Sequence, residues 1–365
     1  MSNTTNIVSL FDGISCGRTA LDHAGITVNS YAAFETDKYA RAISRYNYPD
    51  IQQYGDVLDA DFSRFVGYDL VMGGSPCTFW SIAKTNRDVD KSGVGWKLFM
   101  RFVEAVRVIS PRFFIYENVA SMPQNIKEYI TEELEVEPIM INSALVSAQS
   151  RKRLYWTNIK GIIQPNDKGI LLQDILETGV TSRDKSYCID ACYYKGGNHT
   201  RPLSQAGRRR MVYEPVALAD KSQTILATLH KENTLSMLKR GKTGLFCAYE
   251  IDSPVRVGSY GAGGQGNRVY SVQGKSVSLM ANGGGRGGKV GLYKVDLPDG
   301  EYIIRKLTPV EAERCQTLPD NYTAFGIDDS GKIMNISNTQ RYKCIGNGWT
   351  VDVIAYILGF ADLDL

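Results

Sequence analysis

The chain has 365 residues, of which 43% are hydrophobic and 22% charged, with only 12 prolines. This composition is typical of folded globular proteins and excludes disordered, collagen-like and disulfide-scaffold chains. No run approaches the roughly 18 consecutive apolar residues of a membrane-spanning helix, and the first residues lack the features of a signal peptide. We therefore expect a cytoplasmic protein without membrane contact.

Seven cysteines are scattered along the chain without C-x-x-C spacing, and none of the three histidines is spaced as a metal ligand. This pattern predicts neither a metal site nor a disulfide framework. It also disfavours a Cys/His dyad, so a catalytic cysteine would need another means of activation.

The net charge of +3 conceals an uneven distribution along the chain. Residues 181–300 hold 18 Lys and Arg against 9 Asp and Glu, whereas the rest holds 24 against 30. The same window contains 18 of the 35 glycines. A basic, turn-rich segment within a more acidic body favours a polyanionic partner such as nucleic acid, although a solvated basic face without a ligand would have the same charge.

In chain order, residues 1–165 alternate apolar strand-like runs with amphipathic helical stretches, which predicts an α/β fold with a doubly wound, mostly parallel sheet. The predicted strands contain the sequences NIVSLF, SYAAFE, YDLVMGG, RFFIYENV, PIMINSALV and RLYWTNI. Helical periodicity fades over residues 166–304, where we predict a smaller β-rich domain. Residues 305–365 return to helical character, and we expect them to pack on the first domain.

Several small or acidic residues follow the predicted strands at the edge where α/β folds bind ligands. The turn FDGISCG, residues 11–17, lacks the G-x-G-x-x-G spacing of NAD-binding proteins. Glu35 follows the second strand, where a carboxylate can accept hydrogen bonds from ribose hydroxyls, and Asp56 lies at the same edge. Together these residues predict a cofactor that contains adenosine.

Cys77 ends the sequence GGSPC after another predicted strand, on a loop at the same edge. Glu117 ends the next strand, and Arg151 and Arg153 follow within the sequence QSRKR. A thiolate, a carboxylic acid and cationic groups are what conjugate addition to an electron-poor ring requires.

These motifs together resemble the cytosine-5 DNA methyltransferases, and the resemblance covers nearly the whole chain. The motifs, in the family's order, are FDGISCG, GSPC, ENV, QSRKR, RKLTPVEAERCQTLP and GNGWTV. The loop PCTFWS looks more like bacterial or phage members. The resemblance implies the Rossmann-like fold of S-adenosyl-L-methionine-dependent methyltransferases and a DNA (cytosine-5)-methyltransferase activity in a bacterial or phage-infected cell.

The resemblance also implies a role for each of the catalytic residues. Cys77 would attack C6 of the target cytosine, and Glu117 would hydrogen-bond N3 and the exocyclic amine. Arg151 and Arg153 would hold the base carbonyl and a phosphate and would favour the thiolate. The target base would be flipped from duplex DNA because C6 is inaccessible within the stack.

By the same resemblance, a further set of residues would bind S-adenosyl-L-methionine. They are Phe11, Gly13, Gly17, Glu35, Thr36, Asp56, Val57, Pro76, Leu98, Asn347 and Trp349. Two residues depart from the family pattern: Thr78 replaces a frequent Gln after the nucleophile, and Trp349 stands where small aliphatic residues are frequent. The bulk of Trp349 is expected to reshape the cofactor pocket.

The basic region coincides with the family's target recognition domain, which contacts DNA. The candidate DNA-binding residues are Ser81, Gln149, Arg208, Arg209, Arg210, Arg268, Arg286 and Lys289. We expect a monomer that acts on double-stranded DNA, either in restriction-modification or in the protection of phage DNA. Two alternatives stay open: a tRNA substrate, which one branch of the family uses, and a DNA-binding protein that has lost the reaction.

Overall fold

The computed structural model describes residues 5–80, 88, 90–181, 183–194, 201–202, 212–215, 256–259, 268–270, 292–293, 302–361 and 363. The chain divides into two compact units. The first comprises Met1–Glu177, Arg183–Gly197 and Leu307–Leu365, and the second comprises Thr178–Ser182 and Asn198–Lys306.

The amino-terminal part of the first unit alternates strands and helices. Its strands are β1 (Thr5–Leu10), β2 (Val28–Phe34), β3 (Gln52–Tyr54), β4 (Leu70–Gly73), β5 (Phe113–Val119), β6 (Ile139–Asn142) and β7 (Lys152–Thr157). Its helices are α1 (Cys16–His23), α2 (Lys38–Asn47), α3 (Val94–Ile109) and α4 (Gln124–Leu134).

These seven strands form one sheet in the order β3-β2-β1-β4-β5-β7-β6. Strands β1 to β5 pair in parallel, whereas β7 runs antiparallel to both β5 and β6. The strand order reverses between β1 and β4, and open α/β sheets bind their ligands at the carboxyl ends of the strands that flank such a point. The prediction of a doubly wound, mostly parallel fold is confirmed.

Helices cover both faces of this sheet because alternate side chains of each strand point to opposite faces. Ile7 belongs to a buried cluster with Leu21 of α1. Its neighbour Val8 belongs to a second cluster with Phe99 and Phe102 of α3, and all five side chains are essentially inaccessible to solvent. The sheet therefore has a separate apolar core on each side.

Within the second unit, the described residues form two small sheets. The strands are β8 (Arg201–Pro202), β9 (Val212–Pro215), β10 (Arg256–Ser259), β11 (Arg268–Tyr270), β12 (Leu292–Tyr293) and β13 (Tyr302–Arg305). They pair in the orders β8-β13-β9 and β10-β11-β12.

The chain then completes the first unit with three short helices and a hairpin. These elements are α5 (Pro309–Cys315), β14 (Phe325–Ile327), β15 (Ile333–Asn335), α6 (Asn338–Asn347) and α7 (Val351–Leu358). Helix α5 begins with a capping box in which the Thr308 side chain and Glu311 satisfy each other's backbone N–H groups. Ile354 and Ile357 of α7 enter the same core cluster as α1.

Candidate active site

The loop after β1 has an unusual backbone. Phe11, Gly13 and Ser15 all have positive φ angles, of 57°, 61° and 62°, which non-glycine residues rarely adopt. The Asp12 carboxylate stabilises this loop by accepting hydrogen bonds from Ser9 Oγ at 2.6 Å, Tyr31 OH at 2.7 Å and Ser15 Oγ at 2.5 Å. Desolvation raises the pKa of Asp12, and these hydroxyl groups oppose the rise.

Asp12 is a residue that sequence reasoning missed. Its position in the sequence could have revealed it: Asp12 is a carboxylate between Phe11 and Gly13, in the sharp turn that follows a buried strand. Unusual backbone conformations of this kind persist where the surrounding structure holds them, and they are frequent at ligand sites.

Glu35 directly follows β2, and its carboxylate faces the same loop. Oε2 accepts the Gly13 N–H at 2.8 Å, and Oε1 accepts the N–H groups of Thr36 and Asp37, each at 2.7 Å. Burial raises the pKa of Glu35, whereas the three backbone donors lower it. Because a carboxylate oxygen can accept two hydrogen bonds, Oε2 retains capacity for a ligand hydroxyl.

Asp56 follows β3 and caps the short 3₁₀ turn Val57–Asp59, where Oδ1 accepts the Leu58 N–H at 2.9 Å. The side chain is exposed. Among the described residues, nothing donates to its other oxygen, which is therefore available to a donor such as an amine.

A cavity of about 420 Å³ lies at the carboxyl ends of the parallel strands. Ten of the eleven residues predicted for the cofactor line it: Phe11, Gly13, Glu35, Thr36, Asp56, Val57, Pro76, Leu98, Asn347 and Trp349. Cys77, Glu117, Arg151 and Arg153 line it as well. One continuous cavity therefore joins the predicted cofactor residues to the predicted catalytic residues.

Gly17 is the predicted cofactor residue that does not line this cavity. It lies in the first turn of α1, where a Cβ atom would be 2.6 Å from Met72 Sδ and 3.1 Å from Tyr31 OH. The structure thus gives Gly17 a packing role: its missing side chain lets α1 approach the sheet.

Side chains of β5 hold the loop that carries Cys77. Asn118 Nδ2 donates to the Ser75 carbonyl at 3.1 Å, and the hydroxyls of Ser75 and Tyr116 lie 2.6 Å apart. Cys77 then begins a 3₁₀ turn, Cys77–Phe79, and it is partly accessible. The buried hydrogen bonds fix the backbone that presents the thiol, and Asn118 is a second residue that the sequence did not single out.

Glu117 is bound by donors on both of its carboxylate oxygens. Arg153 Nε lies 2.8 Å from Oε1, and Trp349 Nε1 donates to Oε2 at 3.1 Å. The Glu117 residue as a whole is 8% exposed, so this pairing is largely screened from water. Arg153 reaches Glu117 because β7 runs antiparallel to β5, with Arg153 opposite Val119.

Arg151 lies two residues earlier but uses its donors differently. Nη1 donates to the Ile189 carbonyl at 2.9 Å, and Nη2 donates to the Gly348 carbonyl at 2.9 Å and the Gly346 carbonyl at 3.3 Å. The residue is 4% exposed. Arg151 therefore holds the carboxyl-terminal segment against β7, and it lines the cavity at the same time.

Two thiols lie near these arginines. Cys188 Sγ is 3.4 Å from Arg151 Nη1 and 3.9 Å from Arg153 Nη2. Burial raises the pKa of Cys188, but the two guanidiniums outweigh it and the net pKa is lowered. At Cys77, burial dominates and the pKa is raised despite opposition from Arg153 and Arg151.

The predicted DNA-binding residues fall into two groups. Gln149 is fully buried: its amide donates to the Cys315 carbonyl at 3.1 Å and accepts the Ile189 N–H at 2.7 Å. Its placement gives it a structural role in the first unit. Ser81, Arg208, Arg209, Arg210, Arg286 and Lys289 lie outside the described residues, and only the backbone of Arg268, in β11, is described.

Among the described residues, no group of three or more His, Cys, Asp or Glu side chains could hold a metal ion. Within that same part of the chain, no helix is both long and apolar enough to cross a membrane.

The fold and the site together define a class: an α/β enzyme in which a thiol and a carboxylate–arginine pair adjoin a small-molecule cavity. Comparison with known proteins identifies the family. Residues 5–360 match the family described as C-5 cytosine-specific DNA methylase. The chain therefore belongs to the C-5 cytosine-specific DNA methylases, which are DNA (cytosine-5)-methyltransferases, and the sequence-based assignment is confirmed.

Individual relatives agree with this assignment. The chain is 25% identical over 316 residues to the orphan methyltransferase M.Rho11sI of Bacillus phage rho11s, which covers 80% of this chain and 61% of the phage enzyme. It is 25% identical over 351 residues to the type II methyltransferase M.HhaI of Haemophilus parahaemolyticus, with 96% and 92% of the two chains covered.

A solved structure also resembles the whole chain. The Entamoeba histolytica methyltransferase EhMeth aligns with a TM-score of 0.58 at 14% identity, over 98% of this chain and 97% of its own. At this level of identity, the likeness supports the fold alone. Membership of the methylase family implies a methyl donor.

Proposed function

We propose that the protein transfers a methyl group from S-adenosyl-L-methionine to C5 of a cytosine in double-stranded DNA. The observation that carries this proposal is the convergence of Cys77, Glu117 and Arg153 on one cavity in a chain of the cytosine-5 family. We further propose that residues 166–304 form the target recognition domain and that the enzyme acts as a monomer.

The cavity fits the proposed methyl donor in size and chemistry. Its volume of about 420 Å³ lies within the range of small-molecule sites. Glu35 Oε2 would accept a ribose hydroxyl, and the free oxygen of Asp56 would accept the adenine amine. Phe11 and Leu98 supply apolar contacts. When bound, S-adenosyl-L-methionine supplies an electrophilic methyl group.

The chain's own residues account for activation of the cytosine. The Cys77 sulfur would form a bond to C6, which places negative charge on C5 and N3. The proton that the Cys77 thiol gives up would go to N3 and neutralise this charge, and the Glu117 carboxylate would accept hydrogen bonds from the N3–H and from the exocyclic amine. After methyl transfer, a water molecule would take the C5 proton, the C–H electron pair would restore the C5–C6 double bond, and the sulfur would leave with its electron pair and regain the proton from N3.

Burial outweighs the arginines in the free protein and holds Cys77 as a thiol, so activation of Cys77 must draw on the two guanidiniums that oppose this rise in pKa. Arg153 and Arg151 both lower the pKa of Cys77. They supply the positive charge that a histidine would provide in other cysteine enzymes.

Flipping the target base costs a few kcal/mol, which contacts with the flipped base must offset.

The test is bisulfite sequencing of mixed-sequence duplex DNA after incubation with the protein, with and without S-adenosyl-L-methionine. Protected cytosines that depend on the methyl donor support the proposal and give the recognition sequence. Cys77→Ala serves as the matched control. It should lose activity by on the order of 10⁴-fold or more and still bind the methyl donor. A variant that retained its rate would contradict the mechanism.

Two further experiments test the alternatives of a tRNA substrate and of a DNA-binding protein without activity. Total tRNA offered as methyl acceptor tests the RNA substrate. Duplex DNA containing 5-fluorocytosine tests the hypothesis that the protein binds DNA but has lost the reaction. A working thiolate forms an adduct that resists denaturation, because fluorine blocks the elimination.

For the biological role, we propose restriction-modification or phage DNA protection in the cytoplasm of a bacterial or phage-infected cell.

A further inference from the structure

Trp349 contacts both the cofactor cavity and the predicted catalytic carboxylate, Glu117. It follows α6 after one residue, Gly348, and lines the cavity. Its indole Nε1–H donates to Glu117 Oε2 at 3.1 Å. The family resemblance placed this side chain only beside the cofactor, so its bond to the carboxylate is an additional property of this chain.

The surroundings are shaped to permit this contact. Gly74 lies against the pair: a Cβ atom there would be 3.0 Å from Glu117 Oε2 and 3.3 Å from Trp349 Nε1. Any side chain at position 74 would therefore press on the hydrogen bond. Gly346 and Gly348, which precede Trp349, are held by Arg151 through their carbonyls.

The carboxylate has little freedom when both donors are in place. The terminal torsion of a glutamate is broad, so one hydrogen bond leaves the carboxylate plane poorly defined. Arg153 fixes Oε1, and Trp349 fixes Oε2 from the other side. An indole N–H can only donate, so Trp349 stabilises Oε2 specifically as an acceptor.

We propose that Trp349 is a positioning residue for Glu117, holding the carboxylate in the orientation that engages the target cytosine. This inference rests on the proposed function for its catalytic consequence. The hydrogen bond itself does not depend on that function and can be tested in the free protein.

The kinetic test compares Trp349→Phe, which keeps an aromatic ring but removes the donor, with Trp156→Phe as control. Trp156 donates to Thr131 Oγ1 at 3.0 Å and not to Glu117. Loss of a hydrogen bond to a charged group predicts that Trp349→Phe lowers kcat by about tenfold or more. The KM for S-adenosyl-L-methionine should change by less than about threefold, because the ring remains in the cavity.

A double-mutant cycle with Glu117→Gln shows whether Trp349 acts by positioning Glu117 or only by lining the cavity. If Trp349 acts through Glu117, Trp349→Phe has much less effect on the residual activity of Glu117→Gln than on the wild type. Equal effects in both backgrounds, or a changed KM with an unchanged kcat, would overturn the proposal.

The second readout needs no activity. The protein has four tryptophans, and the indole N–H resonance that Trp349→Phe removes identifies Trp349 in a ¹⁵N spectrum. Glu117→Gln should shift this resonance and leave that of Trp156 in place. If the wild type methylates DNA but neither response occurs, the positioning role is wrong. If the wild type is inactive, the proposed function fails, and the resonance alone decides whether the pair exists.

Discussion

Cys188 Sγ lies 3.4 Å from Arg151 Nη1, so the thiol held by an arginine in the free protein is not the predicted nucleophile. The second guanidinium, of Arg153, reaches the same sulfur at 3.9 Å. The net pKa of Cys188 is lowered, and that of Cys77 is raised. The pKa shifts of the two thiols thus have opposite signs near the same two guanidiniums, because burial outweighs the effect of these cations at Cys77.

This difference predicts the order of alkylation in the free protein. At neutral pH, a limiting amount of iodoacetamide should modify Cys188 before Cys77, because the thiolate is the reactive form. The buried Cys16 and Cys315, whose pKa values are raised to about 12, should react last among these four. Peptide mass spectrometry gives the order, and Cys188→Ser is the control that must lose the early product. Earlier labelling of Cys77 would contradict the assignment.

Glu35 predicts a pH dependence of cofactor binding. Burial raises its pKa, so protonation on acidification begins at a higher pH than for an ordinary glutamate. The protonated form accepts fewer hydrogen bonds, and affinity for S-adenosyl-L-methionine should fall as the pH is lowered. Asp12 has a raised pKa as well and contributes to the same decline, whereas the nearby Lys343 stays charged and paired with Asp37.

Calorimetric titration across this pH range measures the effect. Glu35→Gln should bind the cofactor about tenfold more weakly at neutral pH, since a charge-assisted hydrogen bond is lost. Its affinity should also vary less with pH, and the remaining variation belongs to Asp12. An affinity unchanged by the substitution would exclude Glu35 from the site.

Gly17→Ala tests the packing role assigned to that glycine. The added methyl group would meet Met72 Sδ at 2.6 Å, so the variant should lose about 1–3 kcal/mol of unfolding free energy through overpacking. Its affinity for S-adenosyl-L-methionine should stay close to that of the wild type. Urea denaturation and calorimetric titration give the two quantities. Gly359→Ala, where the nearest contact is an ordinary 3.4 Å, is the control, and weakened binding with intact stability would return Gly17 to the cofactor site.

A buried ion pair in the carboxyl-terminal segment predicts a large effect on stability. Arg341 Nη2 lies 2.8 Å from Glu313 Oε1, and Glu313 is fully buried. Oε1 also accepts the Thr323 N–H at 2.9 Å, and Oε2 accepts the Asn321 N–H at 2.8 Å. Arg341→Met should lower the unfolding free energy by about 3–5 kcal/mol, because it leaves the carboxylate buried without its cation.

The paired substitution Arg341→Met with Glu313→Leu removes both charges and should recover part of this loss. Urea denaturation of the two single variants and the double variant measures the coupling. Additive losses would mean that the two charges do not depend on each other.

The sequence predicted the fold and most of the cavity because both depend on local patterns. Apolar runs such as NIVSLF mark buried parallel strands, and the carboxyl ends of such strands meet at one edge. That rule brought Glu35, Cys77 and Glu117 together before any coordinates were known. The same rule does not predict which contacts each side chain makes at that edge.

The structure adds contacts that the sequence patterns do not reveal. Arg151 and Arg153 are two residues apart in one motif, and the motif does not show that Arg153 pairs with Glu117 while Arg151 binds backbone carbonyls. Gln149 and Gly17 belong to family motifs, and both contribute to packing. Cys188 gave no signal, because its arginine partners lie 35 and 37 residues away in sequence.

The contacts of Arg151 have a consequence for synthesis on the ribosome. Its guanidinium is buried against carbonyls of Ile189, Gly346 and Gly348, so the acceptors at 346 and 348 are translated nearly 200 residues after the arginine. Until these residues leave the exit tunnel, the Arg151 guanidinium lacks two of its carbonyl acceptors. Burial of Arg151 therefore requires the segment that contains Gly346 and Gly348, and the cavity that Arg151 lines cannot take its native shape until that segment has folded.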